Sequence, residues 1–193
     1  TYNGVGNDWD QWLEMTVDGS SVYLTGGTYA SFSDQNGLIN RYNYAAIVLP
    51  SSYSVLAGIN FGGSLASLFL SDNNKIFVFL DEFDSNSTVQ FDSTSPNSSP
   101  TSLKVFCEFS AARNDLLCFS ESWNYATNAF VIFDTRLSTF VDVAFVGTVT
   151  GTLANHVGPA NVIRTRHRTI PTADLDAADG WTVSIDRWVW EIQ

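Results

Sequence analysis

Apolar and polar residues alternate with a period of two along most of the chain, the mark of strands that bury one face. Trp12 to Val17 and Ser21 to Thr25 flank Asp18-Gly19 and read as a hairpin. Thr28 to Ser33 and Tyr44 to Leu49 follow, the second closed by Pro50. Ser64 to Leu70 and Lys75 to Phe83 flank the turn signal Asp72-Asn73-Asn74. Ser87 to Phe91 is a short strand, and Ser93 to Ser102 is a loop rich in serine and proline. Beyond it come Leu103 to Ser110, Leu116 to Trp123, Ala129 to Asp134, Phe140 to Val149, Asn161 to Thr169 and Trp181 to Ile192. Val141 to Val149 is apolar on both faces and is expected in the centre of a sheet.

This pattern predicts an all-β single domain over 1–193, a β-sandwich or jelly roll of roughly 10–13 short antiparallel strands. One short helix is expected near 172–179, capped by Thr172 and ended by Gly180. The last strand changes phase: Trp181, Val183 and Ile185 alternate on odd positions, Trp188, Trp190 and Ile192 on even ones. An inserted residue, a β-bulge near Asp186-Arg187, would keep both sets on one face.

Composition narrows the function. Charged residues make up only 15%, so Ser, Thr, Asn and Gly cover much of the surface. Twenty acidic against nine basic residues give a net charge of −11, which disfavours nucleic acid as a partner. No apolar run is long enough for a membrane span. Cys107 and Cys118 bracket a predicted strand, turn and strand centred on Ala112-Arg113, so a cross-strand disulfide is expected, with two buried free thiols as the alternative. Asn86-Ser87-Thr88 and Asn97-Ser98-Ser99 are glycosylation sequons in polar sequence. With the start at Thr1 rather than Met, these features lead to an expectation of secretion.

Four groups of residues carry candidate chemistry. In a strand, Arg164, Arg166 and Arg168 share one face while His167 points the other way. That stripe would clamp an anionic ligand such as a uronate or sulfated glycan, or an acidic surface of a second copy; alternatively it forms an internal ladder with neighbouring carboxylates. Asp81-Glu82-Phe83-Asp84 holds a carboxylate pair, Glu82 and Asp84, on one strand face, which could serve glycoside hydrolysis or simply form a solvated strand end. Asp174, Asp176 and Asp179 before Gly180 could wrap Ca²⁺, the one cofactor suggested, or simply open a capped helix. Among six tryptophans, Trp9 lies outside a clear strand and is the candidate for stacking on a sugar, whereas Trp188 and Trp190 suit the core. With only two histidines, and two cysteines expected to pair with each other, a Cys/His zinc site is not expected, and no Gly-x-Ser-x-Gly elbow, phosphate loop or dinucleotide fingerprint occurs.

Two resemblances bear on these residues. Asp81 to Asp84 resembles the Glu-x-Asp-x-Glu strand of the laminarinase and lichenase glycosidases, a jelly-roll family. The third acid is replaced by Asn86, and in that family the missing residue is the acid/base, so the resemblance implies an inactive site. The Ser/Thr/Asn-rich strands, the segment VFCEFSAARNDLLCF and the Phe-rich Phe130 to Phe133 resemble secreted fungal cell-surface β-domains. That resemblance implies a wall-associated, glycosylated, non-catalytic protein. The expected function is a secreted extracellular module that binds glycans or self-assembles at a cell surface. A jelly-roll carbohydrate-active enzyme built around Glu82, or a coat or filament subunit, is the alternative.

Overall fold

A computed structural model describes residues 11–18, 21–28, 45–66, 68, 75–80, 85–172 and 180–193. Thirteen strands among them form two sheets, and every strand pair is antiparallel. In chain order they are β1 (Gln11–Asp18), β2 (Ser21–Thr28), β3 (Ala46–Val48), β4 (Ser52–Ala57), β5 (Ile59–Gly62), β6 (Ile76–Leu80) and β7 (Ser87–Thr94). Then follow β8 (Leu103–Ala111), β9 (Leu116–Asn124), β10 (Ala129–Leu137), β11 (Val143–Thr148), β12 (Val162–Pro171) and β13 (Trp181–Ile192). The expected all-β sandwich is therefore what the chain forms. Of the helix expected near 172–179, residues 173–179 lie outside the described residues, as does the turn at Asp72-Asn73-Asn74.

The larger sheet is organised around β13. One edge of β13 pairs with β8 from Val183 to Ile192. Its other edge is shared, Trp181–Ile185 pairing with β6 and Trp190–Ile192 with β3. β11 adds to β8, β5 to β6, and the β1–β2 hairpin joins through β3. The smaller sheet has the order β10-β9-β12-β7-β4.

The phase change in β13 is resolved as the sequence requires. The register slips between Ile185 and Arg187, so Trp181, Val183 and Ile185 before the bulge and Trp188, Trp190 and Ile192 after it are all buried. Trp188 stacks on Phe91 of the opposite sheet at 4.7 Å and 16°, and its indole N–H donates to Thr165 Oγ1 at 2.8 Å. This contact ties the two layers at the centre of the core.

Three local expectations are corrected. Leu65 and Ala66, inside the expected strand Ser64 to Leu70, lie in a turn that Leu68 N–H closes on Leu65 C=O at 3.1 Å. β11 is an edge strand, hydrogen-bonded to β8 alone among the described strands; its apolar residues on both sides reflect an exposed flank, with Val146 49% exposed. The disulfide is absent: Cys107 and Cys118 are free and buried. The chain between β8 and β9 crosses from one sheet to the other instead of folding back as a hairpin. Cys107 is in register with Trp188 and Phe145, and Cys118 with Thr169 and Arg136. Burial pushes both thiols up, Cys118 to about 12 and Cys107 well above its ordinary value.

Candidate functional site

Strand β12 alternates strictly: Ile163, Thr165, His167 and Thr169 face the core, while Arg164, Arg166 and Arg168 emerge on the outer face of the smaller sheet. The neighbours on each side supply the counter-charges by register. Arg164 lies opposite Asp92 of β7, and Arg166 opposite Glu121 of β9. Arg164 Nε donates to Asp92 Oδ1 at 2.7 Å, and Arg166 Nε to Glu121 Oε2 at 2.5 Å. Arg168 Nη2 reaches the other oxygen of Glu121 at 3.1 Å. Burial raises the Glu121 carboxyl, but the hydrogen bonds from Arg168 and Arg166 outweigh it and hold the acid below its ordinary value. The stripe is thus an internal ladder. Three guanidinium groups facing two carboxylates leave a single formal positive charge, so the face is no strong anion clamp.

Aromatic rings complete this face. The Arg166 guanidinium lies 3.7 Å from the Phe130 ring centre, and that of Arg168 lies 4.5 Å from Phe119. Trp123, in register with Phe130, packs edge-on against it at 4.9 Å and against Tyr125 at 6.5 Å. The position of Tyr125 is set by the loop before β12: its N–H donates to Asn155 C=O at 2.7 Å, and Gly158 passes so close that a Cβ there would fall 2.4 Å from the ring. Burial raises the Tyr125 phenol, and the charges of Arg164 and Asp92 act on it from nearby with opposite signs. Gln90 donates to Asp92 at 3.1 Å. One end of the sheet therefore presents Trp123, Tyr125 and Phe130, all half-buried, beside Arg164, Asp92 and Gln90.

Sequence reasoning found the arginines but missed Asp92, Glu121, Trp123, Tyr125 and Phe130. The first two become visible only once β7 and β9 are known to flank β12. Trp9, Glu82, Asp84, Asp174, Asp176 and Asp179 lie outside the described residues. His167 is fully buried against Phe109 at 4.3 Å, and His156 Nδ1 lies 2.9 Å from Ser122 Oγ beneath the Leu153–His156 turn. Asn97 is exposed in its loop and Asn86 is half-exposed. Among the described residues no group of three His, Cys, Asp or Glu is placed to hold a metal, and no helix is long and apolar enough to cross a membrane.

No protein-family model matches the sequence, and no curated protein does. Some solved structures align with part of the chain. A family 4 carbohydrate-binding module aligns at a TM-score of 0.43 and 10% identity, covering 62% of this chain and 84% of its own. A family 29 carbohydrate-binding module aligns at 0.41 and 12%, covering 72% and 91%. A family 61 module in complex with beta-1,4-galactotriose aligns at 0.45 and 9%, covering 75% and 91%.

Proposed function

We propose that the chain is a non-catalytic glycan-binding module, secreted and acting at a cell surface, with the outer face of the smaller sheet as its platform. The observation that carries this reading is the joining of half-buried Trp123, Tyr125 and Phe130 with Arg164, Asp92 and Gln90 on one rigid sheet. Sugars offer C–H faces that stack on aromatic rings and adjacent hydroxyls that pair with planar, two-pronged polar groups. Guanidinium, carboxylate and carboxamide groups fixed by one another lose little freedom when a ligand arrives. Because the charges are almost balanced, hydroxyl recognition is favoured over recognition of a sulfate or uronate. The exposed sequon at Asn97 agrees with passage through a secretory route.

Screening on a glycan array, followed by calorimetry with the best ligand, tests this. Trp123→Ala and Arg164→Ala are each expected to weaken binding by about tenfold or more, roughly 1.4 kcal/mol. Binding to no glycan, or binding unaffected by both substitutions, would refute the reading.

A further inference from the structure

The outer face of the larger sheet carries a pattern of a different kind. Val146, Phe106 and Val189 lie in register across β11, β8 and β13 and form one apolar row. Val146 is 49% exposed, and Phe106 and Val189 are part-exposed between their neighbours. On one side of this row Lys104 of β8 and Glu191 of β13 are in register and joined at 2.6 Å. On the other side Glu108 of β8 and Arg187 of β13 are in register, placed on the same face by the bulge at Asp186. Four charges of alternating sign thus mark the corners of an apolar centre that is open to solvent at Val146 and Arg187.

We infer that this face docks onto a second copy of the same chain. A two-fold axis running along the strands, midway between β8 and β13, exchanges those two strands between protomers. Lys104 then meets the partner's Glu191, Glu108 meets the partner's Arg187, and the large Phe106 lies over the partner's smaller Val189. Every corner charge finds its opposite, as a symmetric, self-complementary interface requires. Elsewhere two copies of a chain with net charge −11 repel, but the four corners sum to zero, so this patch is where like molecules can approach. Sheet-on-sheet packing at about 10 Å suits side chains of this size.

Sedimentation velocity on the full chain across a concentration series provides the test. The wild-type chain is expected to dimerise. Arg187→Glu alone and Glu108→Arg alone are each expected to weaken the dimer about tenfold or more, because each sets like charges together. An equimolar mixture of the two variants restores complementarity at every corner and is expected to form a heterodimer as tight as wild type. Val189→Asp, in the apolar row, provides a second disruption, and circular dichroism checks that each variant is folded. A wild type that stays monomeric at every concentration overturns the inference. So does a dimer indifferent to the single variants and Val189→Asp, or a mixture that fails to recover.

Discussion

Glu121 is buried and yet charged, because Arg166 and Arg168 deliver hydrogen bonds to both of its oxygens. Removing the charge while keeping the shape leaves two guanidiniums with a weakened partner at a partly dry site. Glu121→Gln is expected to cost about 1–3 kcal/mol, read as a lower midpoint in urea. His167 is the opposite case. It is buried with neither ring nitrogen hydrogen-bonded, and burial lowers its pKa from 6.5 to about 3. The unfolded chain therefore takes up a proton below pH ~6.5 that the folded chain refuses. Stability is full above that pH and falls as the solution is acidified, by at most about 1.4 kcal/mol per pH unit for this one group. His156, also lowered by burial, acts in the same direction. The depressed carboxylates Glu121 and Asp142 add to the loss only at lower pH, below their unfolded values. His167→Leu is expected to flatten the dependence of stability on pH between about 6.5 and 5 and to be neutral or stabilising at pH 7, since it removes unpaired buried polar atoms. An unchanged slope in that window would contradict the assignment.

At the scale of elements, the bulge in β13 holds the fold in register. With the bulge retained, inserting one more residue after Asp186 would turn Trp188, Trp190 and Ile192 to the outer face, at a cost comparable to a small domain's net stability of ~5–15 kcal/mol. The insertion variant is expected to lack a cooperative melting transition by circular dichroism, whereas deleting Asp186 leaves both apolar sets on one face and is expected to preserve it. This bulge was legible in the sequence because two sets of apolar residues on one strand demanded it. The passage between β8 and β9 was not legible in the same way. A turn joining two strands looks alike whether they pair side by side or cross between layers, and only the partners decide: β13 and β11 for β8, β12 and β10 for β9. The thiols carry the consequence. With raised pKa values and no access to water, Cys107 and Cys118 are expected to resist a thiol reagent in the native chain and to react fully in denaturant, two thiols per molecule. Fast labelling of the native chain would contradict their burial. The edge position of β11 escaped the pattern for a related reason: an apolar stretch reads as interior until it is known that no described strand pairs with its far side.

At the scale of the molecule, the two outer faces differ in kind. The smaller sheet offers rings and mutually fixed polar groups, and the larger an apolar row inside a square of alternating charges. They belong to opposite layers of the sandwich, so their proposed roles are expected to separate. Arg187→Glu should weaken self-association and leave glycan affinity within about twofold, while Trp123→Ala should do the reverse, as expected for distant sites. Loss of both properties in either variant would show that the faces are coupled.

The sequence alone determined many of the strands, though not β4 and β5, together with the bulge in β13 and the common face of Arg164, Arg166 and Arg168. These follow from side-chain direction, which depends on each residue and its immediate neighbours. The tertiary structure decided which strands lie side by side, and with that the partners of the arginines, the separation of the two cysteines and the setting of Trp123 and Tyr125. Pairing joins residues far apart in the chain, Arg164 with Asp92 and Lys104 with Glu191, and no local pattern encodes which distant segment will be the neighbour.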